Sequence, residues 1–79
     1  MQSDQIYARL TSVFHDVLND DSIELGPHLT PSNVAGWNSL TNFRLILTVE
    51  KTFGITFSTS DIGKLQSVKD LVGLIQSKL

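Results

Sequence analysis

Residues 37–57 read WNSLTNFRLILTVEKTFGITF, and the spacing of apolar residues within them predicts a helix of about fifteen residues with defined ends. Asn38 is a favourable N-cap, and Gly54 is the expected left-handed residue just past the C-terminus. Between them Phe43, Ile46, Val49 and Phe53 recur at steps of three, three and four, so they are read as a core stripe, with Leu45 flanking it and buried too. A second series, Leu40, Arg44, Leu47 and Lys51, recurs at four, three and four on another face. The helix is therefore placed at Ser39 to Phe53. Ser39 then stands at the positive end of a helix dipole, where an attached phosphate is stabilised.

Upstream, Ile6, Leu10, Val13, Phe14, Val17 and Leu18 follow the period of a helix with one buried face. This helix is expected near residues 4–19, with Ser3 or Asp4 as its cap and the polar cluster Asn19-Asp20-Asp21-Ser22 as its stop. Residues 20–37 read as a long loop punctuated by Gly26-Pro27, Pro31 and Gly36. Ile23, Leu25, Leu29 and Val34 are spaced to anchor it. Loops of this length inside compact domains are uncommon and often functional.

Downstream, Ser58 with Asp61 three residues on has the pattern of a capped short turn, carrying Ile62 and Leu65. Ser67 and Asp70 repeat that pattern before a last helix whose stripe is Val68, Leu71, Val72, Ile75 and Leu79. No strand pattern of convincing length and no repeat is present. The expected fold is all-α, a four-helix bundle of three main helices plus a short third helix, with a long loop between helices 1 and 2. Residues 1–79 are expected to form one domain, since 79 residues leave no room for a second.

Bulk properties remove several function classes. The chain has no cysteine, so disulfides, thiol nucleophiles and zinc-ribbon ligand sets are excluded. Its net charge is −2 with six scattered basic residues, whereas nucleic-acid binding normally needs a basic stripe. No apolar run approaches a membrane span, and the N-terminus lacks the basic and apolar regions of a signal peptide. A cytoplasmic location is the expectation. His15 and His28 are the only histidines. Without a Gly-X-Ser-X-Gly elbow, a triad of His28 with Ser39 is discounted, and His15 reads as a polar residue on helix 1. Asp20, Asp21 and Glu24 lack the spacing of a calcium loop.

The stretch from Trp37 to Phe57, with Ser39 at its helix start, Leu40 after it and the Phe53-Gly54-Ile55 ending, resembles the attachment region of the carrier protein superfamily. That superfamily includes acyl carrier proteins and peptidyl or aminoacyl carriers. The order of loop, motif helix, short helix and final helix is similar as well, so the resemblance covers essentially the whole chain. It implies that Ser39 bears a covalent 4'-phosphopantetheine donated from coenzyme A. Asn38 and Trp37 flank that site. The usual aspartate before the serine is here Asn38, which caps as well but lacks the charge that in the family helps engage the metal-dependent transferase.

The resemblance also implies that the face of Leu40, Arg44, Leu47 and Lys51 docks partner enzymes. Acyl carriers of fatty acid synthesis usually present acidic residues there. Here residues 38–55 sum to +1, from Arg44 and Lys51 against Glu50, while residues 1–25 sum to −4. Trp37 has two readings, as a partner anchor or as packing for the loop. The implied function is a freestanding, monomeric carrier, not an enzyme, holding acyl or aminoacyl groups as thioesters for a dedicated pathway. Its implied partners are a phosphopantetheinyl transferase, an adenylating ligase or acyltransferase, and downstream acyl-processing enzymes. The alternative is an unmodified carrier-like helical adaptor that only binds a protein.

Overall fold

In the computed structural model, which describes residues 2–79, four helices follow one another: α1 Ser3–Leu18, α2 Ser39–Phe53, α3 Thr59–Gly63 and α4 Val68–Lys78. Each boundary has a local chemical cause. α1 starts one residue earlier than the sequence suggests because Gln2, not Ser3 or Asp4, occupies the cap position. The backbone N–H of Gln2 donates to Gln5 Oε1 at 3.1 Å. Asn19 ends the helix in the left-handed region, with φ 53°, a conformation that Asn tolerates better than most residues.

α2 occupies the expected residues, capped by Asn38 and ended by Gly54 at φ 66°. α3 and α4 start at Ser58 and Ser67, whose side chains accept from the backbone N–H of Asp61 and Asp70 respectively. Ser58 and Asp61 form the reciprocal pair anticipated from spacing, the Asp61 carboxylate accepting from the Ser58 N–H at 3.0 Å, whereas at α4 the Asp70 carboxylate accepts from the Gln66 N–H at 3.1 Å instead. Asp61 also receives Lys78 Nζ at 3.0 Å from the far end of α4.

The core is a single cluster. Ile6, Leu10, Val13 and Phe14 from α1 meet Leu45, Ile46, Val49 and Phe53 from α2, and Val68, Leu71, Val72 and Ile75 from α4. Phe57, Val34 and Trp37 close it from the loops. α1 packs more extensively against α2 than against α4. Among the described residues no buried side-chain polar atom lacks a partner, as expected of a core assembled from apolar faces.

Two sequence assignments change. Phe43 is 59% exposed and does not belong to the core stripe. At about 100° per residue, each three-residue step turns the helix back by roughly 60°. Two such steps leave Phe43 roughly 120° from Val49, off the buried face. Leu45, expected to flank the stripe and to be buried with it, is buried. Leu79 follows the last turn of α4 as its cap residue and is 51% exposed, so the α4 stripe ends at Ile75.

The long loop is held in place by the helices it joins. Its Leu29 and Pro27 carbonyls accept from the backbone N–H groups of Val68 and Lys69 at 2.9 and 3.2 Å. They thereby satisfy two of the donors that the start of α4 leaves unpaired. His15 donates from Nε2 to the Ile23 carbonyl at 2.8 Å, so it tethers the loop to α1 and is more than a polar residue on a helix. Val34 is buried, and Ile23, Leu25 and Leu29 pack against the core, which is the anchoring expected of all four.

Candidate functional site at the start of α2

The loop reaches α2 through a turn in which the Trp37 N–H donates to the Val34 carbonyl at 3.2 Å. Gly36 sits at φ 85°, in the region that favours glycine. Four hydrogen bonds then fix the entry to the helix. Asn38 Oδ1 accepts from the backbone N–H groups of Leu40 and Thr41 at 3.0 and 3.1 Å. The Thr41 hydroxyl accepts from the Asn38 N–H at 2.8 Å and donates to the Gly36 carbonyl at 2.6 Å. Thr41 thus plays the part that Glu or Gln plays in a capping box.

Ser39, the first residue of the helix, is exposed. Its hydroxyl takes part in no hydrogen bond among the described residues, while the neighbouring Asn38 Oδ1 and Thr41 hydroxyl are engaged. A reagent approaching Ser39 Oγ therefore disrupts nothing. No acidic residue occupies the first turn of α2, so nothing there opposes the negative charge of a phosphate. The dipole of a fifteen-residue helix favours that charge. One refinement concerns the backbone donors: Leu40 and Thr41 N–H are already taken by Asn38, and Asn42 N–H donates to the Asn38 carbonyl at 2.7 Å. A phosphate on Ser39 would thus depend on the dipole more than on free N–H groups of the first turn.

Trp37 decides between its two readings in favour of packing. It is 8% exposed, meets Phe14 edge-on with ring centroids 5.1 Å apart, and donates from Nε1 to Asn42 Oδ1 at 3.0 Å. It is a positioning residue that clamps the loop to α1 and α2. Trp37 and Asn42 also line a small cavity of about 50 Å³ together with Leu45, Ile46, Leu65 and Leu71.

The docking residues suggested by sequence do share a face. Leu40 is 72% and Leu47 44% exposed, with Arg44 and Lys51 exposed beside them. Phe43 joins them, a residue that the stripe pattern had assigned to the core. Arg44 and Lys51 form no ion pair among the described residues. Glu50, the one acid on α2, turns its carboxylate to the Phe57 N–H at 2.8 Å. His28 is not brought to Ser39: it lies in a surface groove with Ser3, Tyr7, Pro27, Lys69 and Gln76. Asp20 accepts from the N–H and hydroxyl of Ser22, which closes a turn at the end of α1.

Thr41 and Asn42 were missed as supports of the site. Thr41 stands three residues after Asn38, the spacing of a capping box, and that signal was available. Asn42 owes its part to Trp37, which only the folded loop places above it.

Comparison with known proteins yields four findings. The family described as "Phosphopantetheine attachment site" matches residues 8–75. The chain is 29% identical over 79 residues to the acyl carrier protein of Coprothermobacter proteolyticus, covering 100% of this chain and 96% of that one. It is also 29% identical over 70 residues to the acyl carrier protein of Solidesulfovibrio magneticus, covering 89% and 90%. The solution NMR structure of holo acyl carrier protein from Geobacter metallireducens superposes with a TM-score of 0.86 at 33% identity, covering 91% of this chain and 83% of that one.

Proposed function

The chain belongs to the phosphopantetheine attachment-site family, and from that premise we propose that Ser39 is the residue carrying the arm. Carrier proteins have no catalytic activity of their own. Their covalent 4'-phosphopantetheine supplies a terminal thiol that holds an acyl group as a thioester. The observation behind Ser39 is the conjunction at the start of α2 of an exposed, unengaged hydroxyl, a rigid capped helix entry and a first turn without carboxylates.

In the attachment step a transferase brings coenzyme A to Ser39. The Ser39 Oγ–phosphorus bond forms as the pyrophosphate bond of coenzyme A breaks, adenosine 3',5'-bisphosphate departs with the electron pair of that bond, and the hydroxyl proton passes to solvent. This chain contributes geometry. Asn38 and Thr41 fix the helix entry, Trp37 clamps the loop behind it, and the α2 dipole favours the phosphodiester. Once loaded, the carrier acts by tethering, which raises the effective concentration of cargo at each partner's active site.

The finer reading is a carrier for a dedicated pathway, with the 79 residues as one carrier unit. The cationic α2 supports that choice over bulk fatty acid synthesis, and the cargo is acyl or aminoacyl. Asn38 in the place of the usual aspartate favours one alternative, a helical adaptor that is never modified. The deciding experiment is incubation with coenzyme A and a broad-specificity transferase, read by intact mass. The wild type gains one phosphopantetheine, about 340 Da, and Ser39→Ala gains nothing. A wild type that no transferase modifies supports the adaptor.

A further inference from the structure

Among the described residues, Leu40, Phe43, Leu47 and Leu79 are the exposed large hydrophobic residues. Three of these four lie on α2. At about 100° per residue, Leu40, Phe43, Leu47, Arg44 and Lys51 fall within an arc of roughly 100°. The middle of that arc is diametrically opposite Val49, which is completely buried. Leu40 and Lys51 are eleven residues apart, so the face runs for roughly 16 Å along the helix. Scattered single hydrophobics on a surface need no explanation, but a contiguous apolar face rimmed by charge marks an interaction site.

The rim is of one sign. Arg44 and Lys51 are exposed and form no ion pair among the described residues. Glu50, the one acid on α2, is committed to the Phe57 N–H. We infer that this face docks a protein whose complementary surface is an apolar cleft rimmed by carboxylates. The inference deepens the carrier reading and rests on it for one point, that the partner is an enzyme reaching Ser39. The apolar residues supply contact, and the cations supply steering and partner discrimination. An anionic membrane is the poorer occupant. Surface binding to anionic lipid normally takes a cluster of four to eight basic residues, and this face has two on a chain of net charge −2.

The test uses the ¹⁵N-labelled holo-protein and two synthetic amphipathic helical peptides with the same leucine face, one flanked by glutamates and one by lysines. The glutamate peptide is expected to shift amides of residues 40–51 and to bind at least about tenfold more tightly at low salt. That preference should fade once the Debye length falls to a few ångströms. Arg44→Glu with Lys51→Glu reverses the preference. Phe43→Ala weakens the glutamate peptide by about tenfold, as for a central contact residue, without changing the preference. Its circular dichroism matches the wild type, since Phe43 is outside the core. Equal binding of both peptides, binding of neither, shifts confined to other helices, or a preference that survives charge reversal overturns the inference. So does tighter binding of phosphatidylglycerol vesicles through the same amides. The carrier reading fails separately, through the mass of the Ser39 modification, so peptide discrimination by a chain that cannot be modified leaves the docking face standing without it.

Discussion

Trp37→Phe isolates the clamp that holds the loop against the helix entry. Phenylalanine keeps an aromatic ring against Phe14, whose contact with Trp37 is edge-on at 5.1 Å. It removes the indole N–H that Asn42 Oδ1 accepts at 3.0 Å, and it underfills the space of the larger ring. A lost hydrogen bond costs about 1 kcal/mol net. Asn42 is only half-buried, so water can reach its freed acceptor and keep that cost at the lower end. The missing ring volume adds roughly another 1 kcal/mol. The sum of about 2 kcal/mol is large beside the roughly 4–12 kcal/mol expected for 79 residues. It corresponds to a fall in Tm of roughly 8–16 °C. Trp37→Ala, at about 3–5 kcal/mol, risks unfolding the chain and is the worse probe. Urea unfolding by circular dichroism avoids dependence on the tryptophan signal. Paired with Asn42→Ala, the cycle should show a coupling energy of about 1 kcal/mol. A Trp37→Phe cost below about 0.5 kcal/mol, or full additivity with Asn42→Ala, would refute the clamp.

Three further outcomes are expected. Asn38→Asp should change stability by no more than about 0.5 kcal/mol, because both residues cap well and the carboxylate gains slightly from the dipole; modification by transferases that use a carboxylate here should be faster, measured as initial rate by mass. Asp61 is held down at about 2, against an ordinary 3.8, first by the Ser58 backbone N–H and then by Lys78. A depressed folded-state value stabilises the fold above pH 3.8 and loses that contribution as pH falls toward 2, so the urea midpoint should drop across this window by less in Asp61→Asn than in the wild type. Gly54→Ala places a Cβ at φ 66° and should cost about 1 kcal/mol, read as a lower urea midpoint with an unchanged m-value.

Helix positions were legible because their signals are local. Asn38, Gly54, Ser58 and Ser67 each act within one turn of the boundary they set, and all four do so in the structure. The start of α1 shifted by one residue because glutamine can close the reciprocal cap with Gln5, a choice that residue preferences rank low. Phe43 was misassigned for a geometric reason. Two successive three-residue steps look like a stripe in a line of text but rotate away from it on a helix. The consequence reaches function, since the misplaced residue is the largest on the exposed face. Trp37 had two readings in the sequence because its partners come from elsewhere in the fold, Phe14 on α1 and Asn42 on α2. His15 and Pro27 were opaque for the same reason: each secures the loop through a backbone group whose position depends on tertiary packing.

The central claim is that one hydroxyl, Ser39, receives the arm. Eight other serines are present, among them Ser58, Ser60 and Ser67 at the starts of α3 and α4. Site localisation by tandem mass spectrometry of the protein after reaction with coenzyme A and a transferase tests the claim most directly. The account predicts fragments carrying phosphopantetheine that contain Ser39 and no modified fragment without it. A phosphopantetheine found on any other serine or on Thr41, with Ser39 bare, would contradict it.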